Sequence, residues 1–357
     1  DDFLIEKTDL DRNFHTTTSH EVNPVITYDR PWETGAKFAA PFHGGVWVDP
    51  ADQTFKTWYS CGQQRRGMGG VAYATSKDGI QWNKPVLDVA RSGTNYVLYV
   101  RGMDSTSVWL DHNAKSPNER FKMLWNGRRT DGRWFAKYHT SPDGMHWSGI
   151  LEERNTDNDH DLFFYNPFRK VWVYQQRVLA RNPLDSSKTA VGRARLYREH
   201  PDLRTLIAQT PLRTTSIEKT GPPKGSAFWV GADDLDPRNP DERFADIPPQ
   251  LYSVAPGAYE SLMLGLFAIW SGPENDDIAK NGGQKRNDVL VGFSRAGFHW
   301  DRSCRKRFIP CTWKKGDWDY ANVQPVTNCC LVAGDKLYIY VSARAWETGR
   351  FRRMSTG

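Results

Sequence analysis

The chain has 357 residues, a formal net charge of +6 and a hydrophobic share of only 38%, with 15 Trp among its aromatic residues. It contains no apolar run of the roughly 18 residues that a membrane-spanning helix needs, so we expect no membrane segment. Basic pairs are scattered through the sequence and do not form a tail, which argues against a nucleic-acid-binding arm. The chain begins at Asp1 without Met, so we expect that it was processed or trimmed.

Three stretches along the chain repeat one pattern, in which a β-rich run is followed by a tight turn and a Trp. They are Ser76–Trp82, Ser141–Trp147 and Ser294–Trp300. In the Ser-x-Asp-Gly turn the Asp bonds to the local backbone, Gly supplies a positive φ, and the Trp can fold over the turn. A recurring unit of strand, turn and buried Trp is typical of β-propeller blades.

These anchors predict an all-β fold, namely a five-bladed β-propeller that forms a single domain over residues 1–357. Closed β structures of this length often form one domain. The segment 204–249, rich in Pro, Asp and Gly, is expected to be a long loop carrying one strand. The predicted blades cover residues 40–85, 104–150, 157–200, 250–303 and 319–345, the last closed by residues 15–35.

The five Cys residues do not indicate a zinc site, because no Cys-x-x-Cys or His-Glu-x-x-His pattern occurs. Cys304 and Cys311 flank a short basic segment and could close a small loop in an exported protein. The adjacent Cys329 and Cys330 are expected to point to opposite faces of a strand, which places them poorly for gripping one metal ion. We predict neither a metal site nor a cofactor.

The candidate functional residues are those that precede the inner strand of each blade, because this position lines the funnel at the axis of a propeller. We take Asp104, Asp159 and Glu260 as catalytic candidates. Carboxyl groups that converge on a sugar can supply an acid together with a base or nucleophile, and crowding raises the pKa of at least one of them. The substrate-binding candidates are His43, His160, Arg65, Arg66, Arg128, Tyr259, Trp270 and Asp319.

Two structural explanations compete with this interpretation. Asp104 precedes a Ser/Thr run and could cap a turn. The acidic stretch 157–161 could hold a calcium or sodium ion near Asp157, Asp159 and Asp161, since its charges repel one another unless something binds there.

The basic pairs Arg65-Arg66 and Arg128-Arg129 occupy matching places in the first two blocks, so they should project from the same face. Arg binds sulfate or carboxylate in a two-pronged way that Lys cannot copy. The pairs therefore favour an anionic oligosaccharide such as a sulfated one, while solvated loop charge is the alternative.

The sequence resembles the five-bladed β-propeller glycoside hydrolase superfamily, typified by families 32, 43, 117 and 130, and looks most like a bacterial branch similar to family 32. The resemblance spans roughly residues 20–345 and implies three acidic residues on the inner strands of successive blades. Where the base should stand, this chain has His43, although family 117 is similar in using a His. The matching stretches are 23–25, 31–33, 55–60, 73–82, 159–167, 259–260, Gly265 and 293–300.

The resemblance implies a secreted or periplasmic glycosidase with a carbohydrate as its substrate, and no nucleic-acid or membrane partner. A polysaccharide lyase, which would use His160 with Tyr259 or Tyr320 to remove a proton beside a uronate, is one alternative. A glycan-binding propeller without activity is the other. The sequence predicts neither the oligomeric state nor the identity of the sugar.

Overall fold

The computed structural model describes residues 9–11, 13–62, 67–156, 159–181, 192–210, 217, 221–281, 284–345 and 354–356. The fold is nearly all β, with 7% of the residues in helix. Among the described residues, no helix combines the length and apolar character needed to cross a membrane. The helices are α1 (Pro31–Thr34), α2 (Leu203–Gln209) and α3 (Asn275–Asn281), with 3₁₀ turns at Pro117–Glu119 and Glu242–Phe244.

The strands form consecutive antiparallel sheets. The first sheet contains β1 (Ala39–Ala40), β2 (Val46–Asp49), β3 (Thr54–Gly62), β4 (Met68–Ser76), β5 (Trp82–Asn83) and β6 (Tyr96–Arg101). The second contains β7 (Met103–Leu110), β8 (Phe121–Arg128), β9 (Trp134–Ser141) and β10 (Glu152–Thr156). The third contains β11 (Leu162–Asn166), β12 (Val171–Ala180), β13 (Gly192–His200) and β14 (Ala227–Gly231).

The fourth sheet contains β15 (Gln250–Tyr259), β16 (Leu262–Trp270) and β17 (Asn287–Ser294). The last part of the chain forms β18 (Ala321–Pro325), β19 (Leu331–Ala333), β20 (Lys336–Tyr338), β21 (Val341–Arg344) and β22 (Met354–Thr356). In this part β18, β21 and β22 make the fifth sheet, and β19 with β20 makes a separate ribbon.

The sheets are arranged as a propeller. Each sheet contacts the next one along the chain, and β22 of the fifth sheet meets β1 of the first, so the contacts run in a closed circle. The strands β7, β11, β15 and β18 come first along the chain in their sheets, whereas β2 of the first sheet follows the two-residue strand β1. The predicted all-β propeller is therefore confirmed. The count of five blades and the blade limits stay predictions, because the fifth sheet is short and its ribbon is separate.

The three repeated turns connect neighbouring sheets. The carbonyl of Gly144 in the second sheet accepts a hydrogen bond of 2.7 Å from Trp58 Nε1 of the first. In the same way Tyr340 donates to Gly79 at 2.8 Å, and Trp229 donates to Gly297 at 3.2 Å. All three Gly have φ between 76° and 79°. A Cβ on Gly144 would lie 2.4 Å from a ring carbon of Trp58, so the position needs Gly for both its φ and its space.

Three details differ from the sequence-based prediction. The segment 204–249 contains the one expected strand, β14, which joins the third sheet, but it also contains most of α2, a helix that was not expected. The segment 15–35 packs on the first sheet, where Trp32 Nε1 donates to Asn95 at 2.9 Å, and the outer strand of the fifth sheet is β22. Cys329 and Cys330 lie in a turn with positive φ at Asn328 and Cys329, so they do not alternate across a strand.

Candidate functional site

Two carboxyl groups and an imidazole meet at the beginning of the inner strands. Asp104 is the second residue of β7, whereas Asp159 and His160 precede β11. One oxygen of each carboxyl group and one ring nitrogen of His160 lie within 4.8 Å of one another. His160 Nε2 is 3.6 Å from Asp104 and 3.8 Å from Asp159. The structure thus brings together two of the three predicted catalytic carboxyl groups.

The backbone at His160 is in a conformation that residues other than Gly rarely adopt. Its φ is 61°, in the left-handed region. Arg195, which is fully buried in β13, holds this turn by donating to the His160 carbonyl, and it also donates to the Tyr252 carbonyl of β15 at 2.6 Å. Strained conformations held by their surroundings cluster at functional sites, so this residue is a strong candidate.

A second imidazole supports the first from the opposite side. His43, which precedes β2, places its Nε2 3.0 Å from Nδ1 of His160. Both rings are buried. Burial lowers the pKa of His43 to about 3 and holds the pKa of His160 well below its ordinary value. Both imidazoles are therefore neutral near pH 7.

Basic side chains from β12 and β13 surround the carboxyl groups. Arg177 Nη1 pairs with Asp159 Oδ1. Burial and, to a smaller extent, the charge of Arg177 lower the pKa of Arg195 to about 10, so the Arg195 guanidinium remains charged at neutral pH. The fully buried Arg195 and the partly buried Arg177 thus place two guanidinium groups close to the Asp104–Asp159 pair.

One wall of the site is formed by Tyr252 and two further cations. The Tyr252 ring stands edge-on to His160, with 5.5 Å between ring centroids. Lys285 Nζ lies 5.6 Å from the centre of the Tyr252 ring, and the Arg193 guanidinium lies 6.0 Å from it. A ring flanked by cations suits a ligand that carries negative charge.

Asp161, the next carboxyl group along the chain, faces away from this group. Its Oδ2 accepts from Tyr174 at 2.9 Å, and its Oδ1 accepts from the Arg177 backbone at 3.1 Å. Burial raises its pKa to about 6. The alternative of a calcium or sodium ion near Asp157, Asp159 and Asp161 therefore lacks a ligand from Asp161, whose oxygens are already bonded, and Asp157 lies outside the described residues. Among the residues that the structure describes, the set that could hold a cation by its spacing is Asp104, Asp159 and His160.

The structure does not bring Glu260 or Tyr259 to this cluster. Glu260 is exposed in the turn that joins β15 to β16, with Tyr259 at the end of β15. Tyr252, at the other end of β15, is the residue beside His160. Seven or eight residues of extended strand, at about 3.3 Å each, separate the two ends. The prediction that Glu260 joins Asp104 and Asp159 is wrong, because the inner strand of this sheet begins near Gln250 and not at Leu262.

Three other candidates also differ from their predicted roles. Trp270 is completely buried and lies under Arg193, 4.7 Å from the guanidinium to the ring centroid, so it offers no face to a sugar. Asp319 is half-buried shortly before β18, where burial raises its pKa and Thr312 bonds to it. Tyr320, the alternative lyase residue, is buried and stacks on Trp313.

Arg128 lies at the same edge of the second sheet as Asp104. Its backbone N–H donates to Gly102 at 2.8 Å, and its Nε donates to Gly132 at 2.8 Å within its own hairpin. The loop between β3 and β4 ends beside Gly102 too, because the Gly102 N–H donates to Gly67 at 3.3 Å. Arg65 and Arg66, in that loop, lie outside the described residues.

Sequence reasoning missed Arg177, Arg195 and Tyr252. The available signal was the alternation in Gly192-Arg193-Ala194-Arg195-Leu196, where a charge stands between small and apolar residues in a predicted strand. Arg195 has no exposed surface. A buried cation needs partners, which here are the carbonyls of His160 and Tyr252.

Comparisons with known proteins find no matching family model and no curated relative. Among solved structures, the chain is similar to a thermostable family-43 glycoside hydrolase, at 12% identity and a TM-score of 0.49, over 92% of each chain. It is also similar to the GH43_1 enzyme from Xanthomonas citri complexed with xylotriose, at 8% identity and a TM-score of 0.49, over 94% of this chain and 88% of the other.

An endo-arabinase from Bacteroides thetaiotaomicron VPI-5482 is similar at 7% identity and a TM-score of 0.46, covering 89% of this chain and 96% of that one. Similarity at this level establishes neither a family nor an activity for this chain.

Proposed function

We propose that the protein is a glycoside hydrolase that cleaves a glycosidic bond in an anionic poly- or oligosaccharide. The observation that carries this proposal is the meeting of Asp104 and Asp159, from two different sheets, at the beginning of the inner strands. Glycosidic bond cleavage needs two such carboxyl groups, one to protonate the leaving oxygen and one to act as base or nucleophile.

The spacing of the two carboxyl groups favours a nucleophilic role for the second one over a role as a base that activates water. The nearest oxygens lie no more than 4.8 Å apart, close to the ~5–5.5 Å typical of a nucleophilic pair and shorter than the ~6.5–9.5 Å that leaves room for water. Asp159, paired with Arg177, is our candidate for the nucleophile. Asp104, the more buried of the two, is our candidate for the acid. His160 lies beside both and positions them.

The surrounding cations support an anionic substrate. Arg193, Lys285 and the Asp159-bound Arg177 border the site, and Arg128 lies at the same edge. These charges would attract sulfate or carboxylate groups. An exported location would suit a polysaccharide substrate and remains part of the proposal.

The test is a screen of the purified protein against sulfated and uronate-containing polysaccharides, with reducing ends and product sizes measured. We expect Asp104→Asn and Asp159→Asn to lower kcat by about 10²–10⁴-fold. Glu260→Gln, an exposed carboxyl group at the other end of β15, is the matched control and should behave as wild type. Binding of a glycan without release of reducing ends would indicate a binding module and overturn the proposal.

A lyase is the second candidate, and the geometry around His160 favours it more than the sequence did. A neutral imidazole beside the Tyr252 ring, with cations nearby, can remove a proton next to a uronate whose charge is neutralised. Tyr252 takes the place of the predicted Tyr259 or Tyr320. Unsaturated products that absorb in the ultraviolet, lost in Tyr252→Phe, would select the lyase over the hydrolase.

A further inference from the structure

The adjacent residues Cys329 and Cys330 lie in an unusually tight turn. Asn328 and Cys329 have φ of 76° and 58°, and the Cys330 N–H donates to the Asn328 carbonyl at 2.5 Å. A hydrogen bond from residue i+2 back to residue i across a positive-φ centre is a γ-turn of the rare, strained kind. Such strain persists only where the surroundings hold it.

The surroundings do hold this turn. The Asn328 side chain donates to the Val46 carbonyl at 2.7 Å, and Thr327 Oγ1 lies 3.0 Å from Ser107 Oγ of β7. Gly257 of β15 faces the turn so closely that a Cβ there would lie 2.5 Å from the Asn328 carbonyl oxygen and 2.9 Å from the Cys329 Cβ. The turn is therefore clamped between the first, second and fourth sheets.

The turn also places the two thiols together and next to a surface groove. Their side chains hydrogen-bond to each other, which raises the pKa of Cys329 and lowers that of Cys330. Cys329 is buried and Cys330 is half-buried. Both line a surface groove of about 280 Å³, together with Cys304.

We propose that Cys329 and Cys330 form a modification site for low-molecular-weight disulfides, which convert the pair into a disulfide between adjacent residues. The Cys330 thiolate attacks one sulfur of the small disulfide and displaces one thiolate. The Cys329 sulfur, losing its proton to solvent, then attacks the Cys330 sulfur and displaces the second thiolate. Two protein thiols are oxidised and one small disulfide is reduced to two thiols.

The turn in which the disulfide would form is hydrogen-bonded to the segment that carries His43. Thr327, two residues before Cys329, donates through Oγ1 to the His43 carbonyl. Adjacent Cα atoms are about 3.8 Å apart, which is shorter than the usual span of a disulfide, so the bond is strained and easily reduced. The pair thus forms a reversible oxidation site whose turn is bonded to the imidazole-bearing segment.

The test treats the folded protein with oxidised glutathione, removes the reagent, and counts free thiols after denaturation. We expect the count to fall from the five thiols of the sequence to three. Trypsin releases residues 316–336 as one peptide that holds both Cys, so this peptide should be lighter by two hydrogen atoms. A mild dithiol reductant should restore all five thiols.

Cys304→Ser is the matched control, since it removes a thiol from the same groove and should leave this peptide oxidisable. Cys329→Ser should instead retain a mixed disulfide at Cys330. A stable glutathione adduct in the wild type, a bridge from Cys304 to Cys330, or no reaction would each overturn the proposal. None of these readouts requires enzymatic activity, so the result stands apart from the function proposed above.

Discussion

His43 Nε2 and His160 Nδ1 lie 3.0 Å apart, and the two buried rings stand nearly perpendicular to each other. A single proton fills this contact, so one ring donates and the other accepts. A second proton between the two nitrogens would replace the hydrogen bond with repulsion. Because both rings are buried, a positive charge on either of them costs free energy in the folded state, so the folded pair stays neutral near pH 7.

The neutral pair predicts a loss of stability in acid. The folded pKa of His43 is about 3 and its unfolded value is 6.5, so its contribution is complete above pH 6.5 and is lost as the pH falls towards 3. At pH 5 this loss is about 2 kcal/mol. The stability deficit of His43→Gln, measured by urea unfolding, should thus be about 2 kcal/mol smaller at pH 5 than at pH 7. An unchanged His43→Gln deficit would contradict the prediction.

The raised pKa of Asp161 predicts a pH dependence of stability whose sign is opposite to that of His43. Burial raises its folded pKa to about 6 from 3.8, so its contribution is complete below pH 3.8 and is lost as the pH rises through 6. A difference of this size amounts to about 3 kcal/mol. The free energy of unfolding of Asp161→Asn, measured relative to that of the wild type, should rise by about that amount when the pH is raised from 3.5 to 7. Unfolding by urea at both pH values checks this, and a parallel pH dependence of the two proteins would refute it.

Gly144→Ala tests the contact between the first two sheets. The new Cβ would meet the ring of Trp58 at 2.4 Å, and the residue would have to hold a φ of 79°. We expect a loss of roughly 2–4 kcal/mol in the free energy of unfolding. Gly149→Ala is the matched control, because no atom lies within 4 Å of its added Cβ and its φ is not positive. Equal effects of the two substitutions would show that the Trp58 contact does not matter.

Arg193→Gln tests the charge of the proposed substrate. Loss of a charge-assisted hydrogen bond, worth about 1.5–3 kcal/mol, should raise KM for a sulfated or uronate substrate at least about tenfold, with little change for the neutral sugar. Arg169→Gln removes an equal charge from an exposed pair with Glu199, in the turn after β11, and should leave KM unchanged. A similar loss on charged and neutral substrates would mean that Arg193 serves the structure alone.

The fold could be predicted from the sequence better than the site. A turn is determined by neighbouring residues, whereas the site combines residues that are far apart in the chain. The Asp-Gly turns at Asp78 and Asp143 are determined by neighbouring residues, and both carboxylates accept the expected backbone hydrogen bonds. Asp104, Asp159, His43 and His160 were found because each stands just before or at the start of an inner strand. The same rule gave a wrong prediction for Glu260, because β15 and β16 are both apolar and their sequences do not indicate which of them is the inner strand. Arg177 and Arg195 come from the second and third strands of their sheet, and no local pattern shows that they reach the axis.

The bonds from Trp58, Trp229 and Tyr340 to the repeated turns have a consequence for how such a chain can grow. Each aromatic donor and its Gly acceptor belong to different sheets, so no single sheet contains a complete pair. A fragment cut between two sheets would expose a Trp or Tyr whose acceptor has been removed. Insertion of a whole sheet that brings its own donor and turn keeps every such pair complete, because the new turn meets the donor of the sheet before it and the new donor meets the turn of the sheet after it. The whole sheet is therefore a unit that can be duplicated without leaving an aromatic donor unpaired.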